Sequence, residues 1–220
     1  MKKRIFKLLF VIACLLSSNN VSAYDFEVDG FYYDVVSLSD FTCKVVSGGK
    51  KYEGDVVIPA TVNYANRTLT VVGIESEVFR SCSELTGITI PNTISSIGYS
   101  TFNGCSKLVR VTIEDGNTIL KLGYNSYNSI GLFYDCPIES LYLGRNLSYY
   151  SDYSDYSYRY APFYNNKSIK EVTIGNSVTS IGSYAFFGCS ELTSMTIPNS
   201  VTSIGYSAFV GLYLEASKQP

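Results

Sequence analysis

The chain has 220 residues, 46% of them apolar and only 16% charged, a balance that suits one globular or repeat domain and excludes an intrinsically disordered chain. Its formal charge is −2, and beyond the first few residues no basic stripe runs along it, so neither nucleic acid nor anionic lipid is an expected partner. There is no histidine and no tryptophan, which removes the commonest general base and metal ligand.

Residues 1–23 open with Lys2, Lys3, Arg4 and Lys7, continue as an apolar run from Leu8 to Leu16, and end in Val21-Ser22-Ala23, the small-residue pattern of a signal peptide. Cleavage is expected between Ala23 and Tyr24. The leader holds four basic and no acidic residues, so its loss takes the charge from −2 to −6. The apolar run is too short to span a bilayer and no second one follows. The product is therefore expected to be secreted or held at a cell surface, with no transmembrane segment. A rival reading takes Val11-Ile12-Ala13-Cys14 as a lipoprotein box with lipid at Cys14, although Leu15 and Leu16 carry the apolar run past that cysteine.

Residues 24–52 read as a β-rich N-terminal cap. YDFEVDGFYYDVVS has two β-rich runs around Asp29-Gly30, a strong hairpin signal, and FTCKVVSGGKKYEG reads as a further strand, turn and strand. From 53 to 212 a repeat takes over, clearest in residues 169–191, IKEVTIGNSVTSIGSYAFFGCSE, which the following LTSMTIPNSVTSIGYSAFVGL nearly copies. The apolar positions Ile169, Val172, Ile174, Val178, Ile181, Ala185, Phe186 and Cys189 recur earlier as Leu85, Ile88, Ile90, Ile94, Ile97, Thr101, Phe102 and Cys105. Each unit is expected to hold a first strand such as Val172-Thr173-Ile174, a second short extended piece, and a tight helical or 3₁₀ turn at SYAFFG. One such unit cannot hide its apolar face alone, so the units must stack as a solenoid of about six coils. The remaining residues, 213–220, form a tail. No polar C-terminal cap is visible, which points either to cover by another molecule or to a longer architecture.

Cys82, Cys105, Cys136 and Cys189 each stand three residues after a phenylalanine, so they mark a repeat position. Small buried core residues in the reduced state are expected there, although neighbouring coils are close enough for a bridge. Asn166 takes the position in the fourth coil, where its amide is expected to bond neighbouring backbone.

The third and fourth coils place more residues than the regular second, fifth and sixth coils between their first strand and their phenylalanine. The additions are centred on GYNSYNSIG and GRNLSYYSDYSDYSYRYAP, and these loops are expected side by side on one edge, with the NYANR of the first coil farther along it. Seven tyrosines fall between Tyr149 and Tyr164, in a Tyr/Ser/Asn/Asp composition that supplies amphipathic contact area at low entropic cost. The candidate ligand-binding residues are Tyr124, Tyr127, Tyr142, Arg145, Tyr149, Tyr150, Tyr153, Tyr156, Tyr158, Arg159, Tyr160 and Tyr164. In the alternative, the rings lie down over the coils and only shield the core. Tyr142 interrupts a ladder of strand threonines, Thr89, Thr112, Thr173 and Thr196, and is expected beside the tyrosine-rich loop. No GxSxG, HExxH or phosphate-loop pattern occurs, and no catalytic residue, metal or cofactor is expected. Asp152 and Asp155 lack the spacing of a calcium loop. A binding role is expected, with self-association through the last coil as the alternative.

The motif LTSMTIPNSVTSIGYSAFVG, with its partners LTGITIPNTISSIGYSTFNGC and IKEVTIGNSVTSIGSYAFFGC, resembles the BspA-like class of leucine-rich repeat proteins over roughly residues 53–212. The resemblance implies a right-handed solenoid with a first-strand sheet on one face, export from a bacterial cell, and adhesion to host matrix proteins, other bacteria or glycans. It implies no catalytic residues.

Overall fold

The computed structural model describes residues 24–150 and 157–212. The leader with Cys14 and Ala23, the loop residues Asp152, Tyr153, Asp155 and Tyr156, and the 213–220 tail lie outside the described residues. The strands in chain order are β1 (Phe26–Val28), β2 (Phe31–Ser37), β3 (Thr42–Val46), β4 (Gly54–Val57), β5 (Thr61–Tyr64), β6 (Arg67–Ile74), β7 (Leu85–Ile90), β8 (Ser96–Ile97) and β9 (Arg110–Ile113). They continue as β10 (Leu120–Leu122), β11 (Tyr124–Asn125), β12 (Ile130–Gly131), β13 (Ser140–Leu143), β14 (Leu147–Ser148), β15 (Glu171–Ile174), β16 (Ser180–Ile181), β17 (Ser194–Thr196) and β18 (Ser203–Ile204), with a 3₁₀ turn, η1, at Ser157–Tyr160.

Two sheets run along the stack. The first strands of the six coils form a parallel sheet in the order β17-β15-β13-β9-β7-β4, with Val57, Thr89, Thr112, Tyr142, Thr173 and Thr196 in one outward row. On either side of that row the apolar residues turn inward, as Ile88 and Ile90 or Val111 and Ile113, because successive strand side chains alternate. The second strands continue from the cap in the order β1-β2-β3-β6-β8-β10-β14, and β5 pairs with β6.

The cap departs from its expected form in one respect. Asp29 and Gly30 both take positive φ and close an antiparallel β1–β2 hairpin, as a two-residue turn of this composition requires. The strands on either side of Ser47-Gly48-Gly49 do not pair with each other. β3 joins β2 and β6, whereas β4 crosses to the first-strand sheet and pairs with β7.

One phenylalanine per coil forms the spine of the core. Phe79, Phe102, Phe133, Phe163, Phe186 and Phe209 stack in sequence with centroid separations of 5.6, 4.9, 5.5, 5.4 and 5.8 Å and interplanar angles no greater than 20°. Tyr52 closes the cap end of this column at 4.9 Å from Phe79. The first five of these phenylalanines each sit in a tight turn closed by a bond from the residue three positions on, as in Cys105 N–H to Phe102 O. In five of the six coils the residue two positions after the phenylalanine is left-handed, so Gly104, Gly188 and Gly211 occupy the site where they stand, while Ser81 and Asn165 accept it elsewhere and Asp135 after Phe133 does not take it.

All five cysteines in the described residues are buried and unbridged. At the repeat position the thiols also hydrogen-bond, since the Sγ of Cys105, Cys136 and Cys189 donates to the phenylalanine carbonyl of the coil before, Phe79, Phe102 and Phe163, at 3.1, 3.5 and 3.2 Å. Asn166 does the same with its amide, donating to Cys136 O at 2.7 Å and Phe133 O at 3.4 Å, and accepts from Ser168 N–H.

Candidate ligand-binding groove

The second strands present an outward row of small or polar residues, Gly73, Ser96, Lys121 and Ser148, set side by side by the parallel register. The inward row beside it is Ile74, Ile97 and Leu122, all buried. After each second strand the chain makes its close approach to the previous coil: a Cβ on Gly98 would stand 2.3 Å from Ser76 N, and one on Gly123 2.7 Å from the Gly98 backbone. A tyrosine follows each of these glycines. Tyr99 and Tyr124 meet edge to face at 5.0 Å, and Tyr150 of the fourth coil stands 6.1 Å from Tyr124. Row and rings enclose an open groove of about 650 Å³ across four coils, with Glu75 and Ser76 at the cap end.

The two insertions meet, as their shared composition suggests. The third coil adds the small β11–β12 hairpin and the fourth adds η1, whose Tyr160 packs at 4.9 Å against Tyr124 and 4.8 Å against Tyr150. Tyr158 turns to a second group, lying against Tyr164 at 5.2 Å, Tyr184 at 5.9 Å and Phe187 at 6.3 Å. There Tyr134, Tyr164 and Phe187 stack from coil to coil at 6.4 and 5.5 Å. Burial raises the pKa of the Tyr164 phenol. Arg159 is exposed on η1.

Several expected contacts fall elsewhere. Arg145 is a correction: it is fully buried, and its guanidinium donates to the carbonyls of Ile94 at 2.7 Å, Pro91 at 2.8 Å and Asn92 at 3.0 Å. It closes the corner between first and second strands two coils back, and burial lowers its pKa. Tyr149 lines the groove and is at the same time a packed residue, partly buried against the core. It continues the inward row of Ile97 and Leu122, its hydroxyl donates to Ser183 O at 2.7 Å, and its ring occupies the space a Cβ on Gly182 would need. Burial pushes its phenol pKa well up. Two adjacent tyrosines in a loop-like context do not reveal which one is in strand register, so this placement is not legible in the residues alone.

Tyr142 stands on the first-strand sheet, away from the groove, and donates to Asp115 Oδ2 at 2.6 Å, a bond that raises its pKa. Tyr127 reaches from the β11–β12 hairpin to the first coil. It donates to Glu77 Oε1 at 2.5 Å, and the Arg80 guanidinium lies 4.4 Å from its ring centre. This hydrogen bond lowers the Glu77 pKa and raises that of Tyr127. The NYANR turn does not share the edge either. It precedes the second strand of its coil as the β5–β6 hairpin, and Tyr64 stacks on Phe26 of the cap at 4.1 Å.

Tyr99, Ser96 and Lys121 are groove residues that the sequence reading does not single out. Their signal lies in the recurring triplets Ile97-Gly98-Tyr99, Leu122-Gly123-Tyr124 and Ile204-Gly205-Tyr206, which put a tyrosine beside the second-strand face in regular coils as well as in an enlarged one.

The family model of the BspA type leucine rich repeat region matches residues 72–159 and 157–218, in six copies. This chain belongs to the BspA-type leucine-rich repeat family. No curated protein matches the chain. Among solved structures, a leucine rich cell surface protein of Faecalibacterium prausnitzii A2-165 is 22% identical with a TM-score of 0.53, over 90% of this chain and 48% of its own. This BspA-type chain thus spans about half the length of that protein. A leucine rich repeat protein of T. pallidum is 18% identical with a TM-score of 0.52, over 87% of this chain and 91% of its own. At such identities the likeness concerns the fold. No helix of the described residues is long and apolar enough to cross a membrane.

Proposed function

We propose that this BspA-type repeat protein is an exported, non-enzymatic binding protein, adhesin-like, that recognises a host or bacterial surface protein or glycan through its tyrosine-walled groove. The observation that carries the reading is the convergence of Tyr99, Tyr124 and Tyr150 from three successive coils on one open groove. Tyrosines already packed against one another lose little freedom when a ligand covers them, so more of the contact energy is available for binding. Export rests on the leader ending at Ala23 and on the surface protein among the structural neighbours. The test is an array of glycans and surface proteins probed with the protein and with Tyr124→Ala. A hit that the variant loses supports the reading, and hits that it retains in full refute it.

A second reading has its own observation. In the sixth coil Ile204, Tyr206 and Val210 are 51%, 75% and 50% exposed, whereas the corresponding Ile181 of the fifth coil is buried. Self-association through this coil would bury them, and light scattering over a hundredfold concentration range separates the two: a constant molar mass rejects it.

A further inference from the structure

We propose that the groove takes a neutral oligosaccharide, laid across the coils with its rings against Tyr99, Tyr124 and Tyr150 and its hydroxyls over the Ser96, Lys121 and Ser148 floor. This inference rests on the binding role just proposed and narrows it to one ligand class. The floor comes first. Its outward row offers two serine hydroxyls and one ammonium, with a glycine at the cap end, a shallow polar strip rather than the apolar pocket that receives a protein partner's anchoring side chain. A sugar presents the complementary surface, with a rim of hydroxyls that both donate and accept and a face of C–H groups that pack on an aromatic ring.

The rings supply that second half. Tyr99 and Tyr150 are about half exposed, 51% and 49%, while Tyr160 packs against both Tyr124 and Tyr150. The wall is thus fixed before any ligand arrives. Charge then selects among sugars. Among the described residues that line the groove, Lys121 is the one cation, and Glu75, which pairs with Lys44, stands at its end. A sulfated or uronic acid polymer needs a cluster of cations to repay the desolvation of its anions, and this floor has a single one.

The length of the row also bears on ligand size. Neighbouring strands lie about 4.8 Å apart, so a groove crossing four coils is long enough for more than one sugar ring. Affinity is expected to rise from mono- to tri- or tetrasaccharide and then level off.

The test uses neutral cello-, malto-, manno- and chito-oligosaccharides of one to six units, with a heparin hexasaccharide as the anionic comparison, titrated calorimetrically into the protein. Ser96→Arg fills the floor at an exposed strand position and leaves the tyrosines in place, and Tyr124→Ala opens the wall. Circular dichroism confirms the fold of both. The expected result is that at least one neutral series binds, with both variants weakening it at least tenfold and the heparin fragment binding more weakly. Preference for the heparin fragment overturns the neutral-glycan inference. Binding of a surface protein that Ser96→Arg abolishes, with no oligosaccharide bound, overturns it as well but leaves the groove as the binding site. Oligosaccharide binding untouched by either variant overturns both readings.

Discussion

The buried polar residues of this solenoid hold its corners and coils together in ways that hydrophobic patterning does not reveal. Arg145 is the clearest case, since three carbonyls of the Pro91–Ile94 corner depend on its guanidinium. Replacing it with leucine would leave Ile94 O without a donor and leave Pro91 O and Asn92 O only their bonds from Ile94 N–H and Thr118 Oγ1, at roughly 1–3 kcal/mol for the buried group that finds no new partner. Arg145→Leu is therefore expected to lower the urea midpoint, by about 2 kcal/mol in stability, while any folded fraction keeps its ligand affinity. An unchanged midpoint would mean the corner is solvated. Asn166 gives a subtler case, because it stands where other coils use a thiol. Asn166→Ala is expected to cost about 3 kcal/mol, three hydrogen bonds of roughly 1 kcal/mol each. Asn166→Cys should recover part of that loss by donating to Phe133 O, as Cys105 does to Phe79 O; chemical denaturation of both variants checks the order, and equal losses would refute the shared role.

At the scale of elements, what is legible in the sequence follows from what repeats. The alternation in Val172-Thr173-Ile174 and its copies, the phenylalanine of each turn and the cysteine after it are periodic, so strands and core can be counted off along the chain. The enlarged coils break the period, and inside them a residue's register cannot be counted from a neighbour. Tyr149 looks like Tyr150 and both border the groove, yet the first fills the inward row and packs against the core while the second is about half exposed. Arg145 looks like a loop cation because nothing in a single sequence marks the distant carbonyls it meets. These assignments lead to a test of the fourth coil. Replacing residues 151–156 with a Gly/Ser linker keeps both Tyr149 and Tyr160, and loop closure changes by only about 0.6 kcal/mol per doubling of length, so stability should hardly move. Extending the replacement to Tyr149 through Tyr160 removes the ring over Gly182 and the support of Tyr124, and should cost about 3 kcal/mol, the lower end for a large ring lost from a packed site. Thermal melts of the two variants compare them directly, and equal melting temperatures would show that Tyr149 and Tyr160 contribute no packing.

Across the whole molecule, each coil's apolar residues are covered by the next, so groups buried in the stack share one fate when it opens. Burial pushes the Cys43 thiol up to about 11 and those of Cys105 and Cys189 to about 12, with Cys136 also well above its ordinary value. A raised acid pKa means that the folded state keeps a proton the unfolded chain gives up, so the unfolded state binds fewer protons and stability falls as pH rises. The contribution of these thiols is fully present below the unfolded value near 9.0 and is lost progressively between about pH 9 and 12. Each thiol that stays protonated in the stack removes at most about 1.4 kcal/mol per pH unit in that window. Tyr33, Tyr52 and Tyr149, whose phenols burial also raises, steepen the decline above about pH 10. The urea midpoint is accordingly expected to hold steady from about pH 7 to 8.5 and then drop with increasing slope, while a thiol reagent at about pH 8 reacts slowly with the native protein and rapidly once urea opens it. A midpoint that stays level to about pH 11, or five thiols that titrate at once in the native state, would place these cysteines in contact with solvent and undo the ladder that joins each coil to the one before.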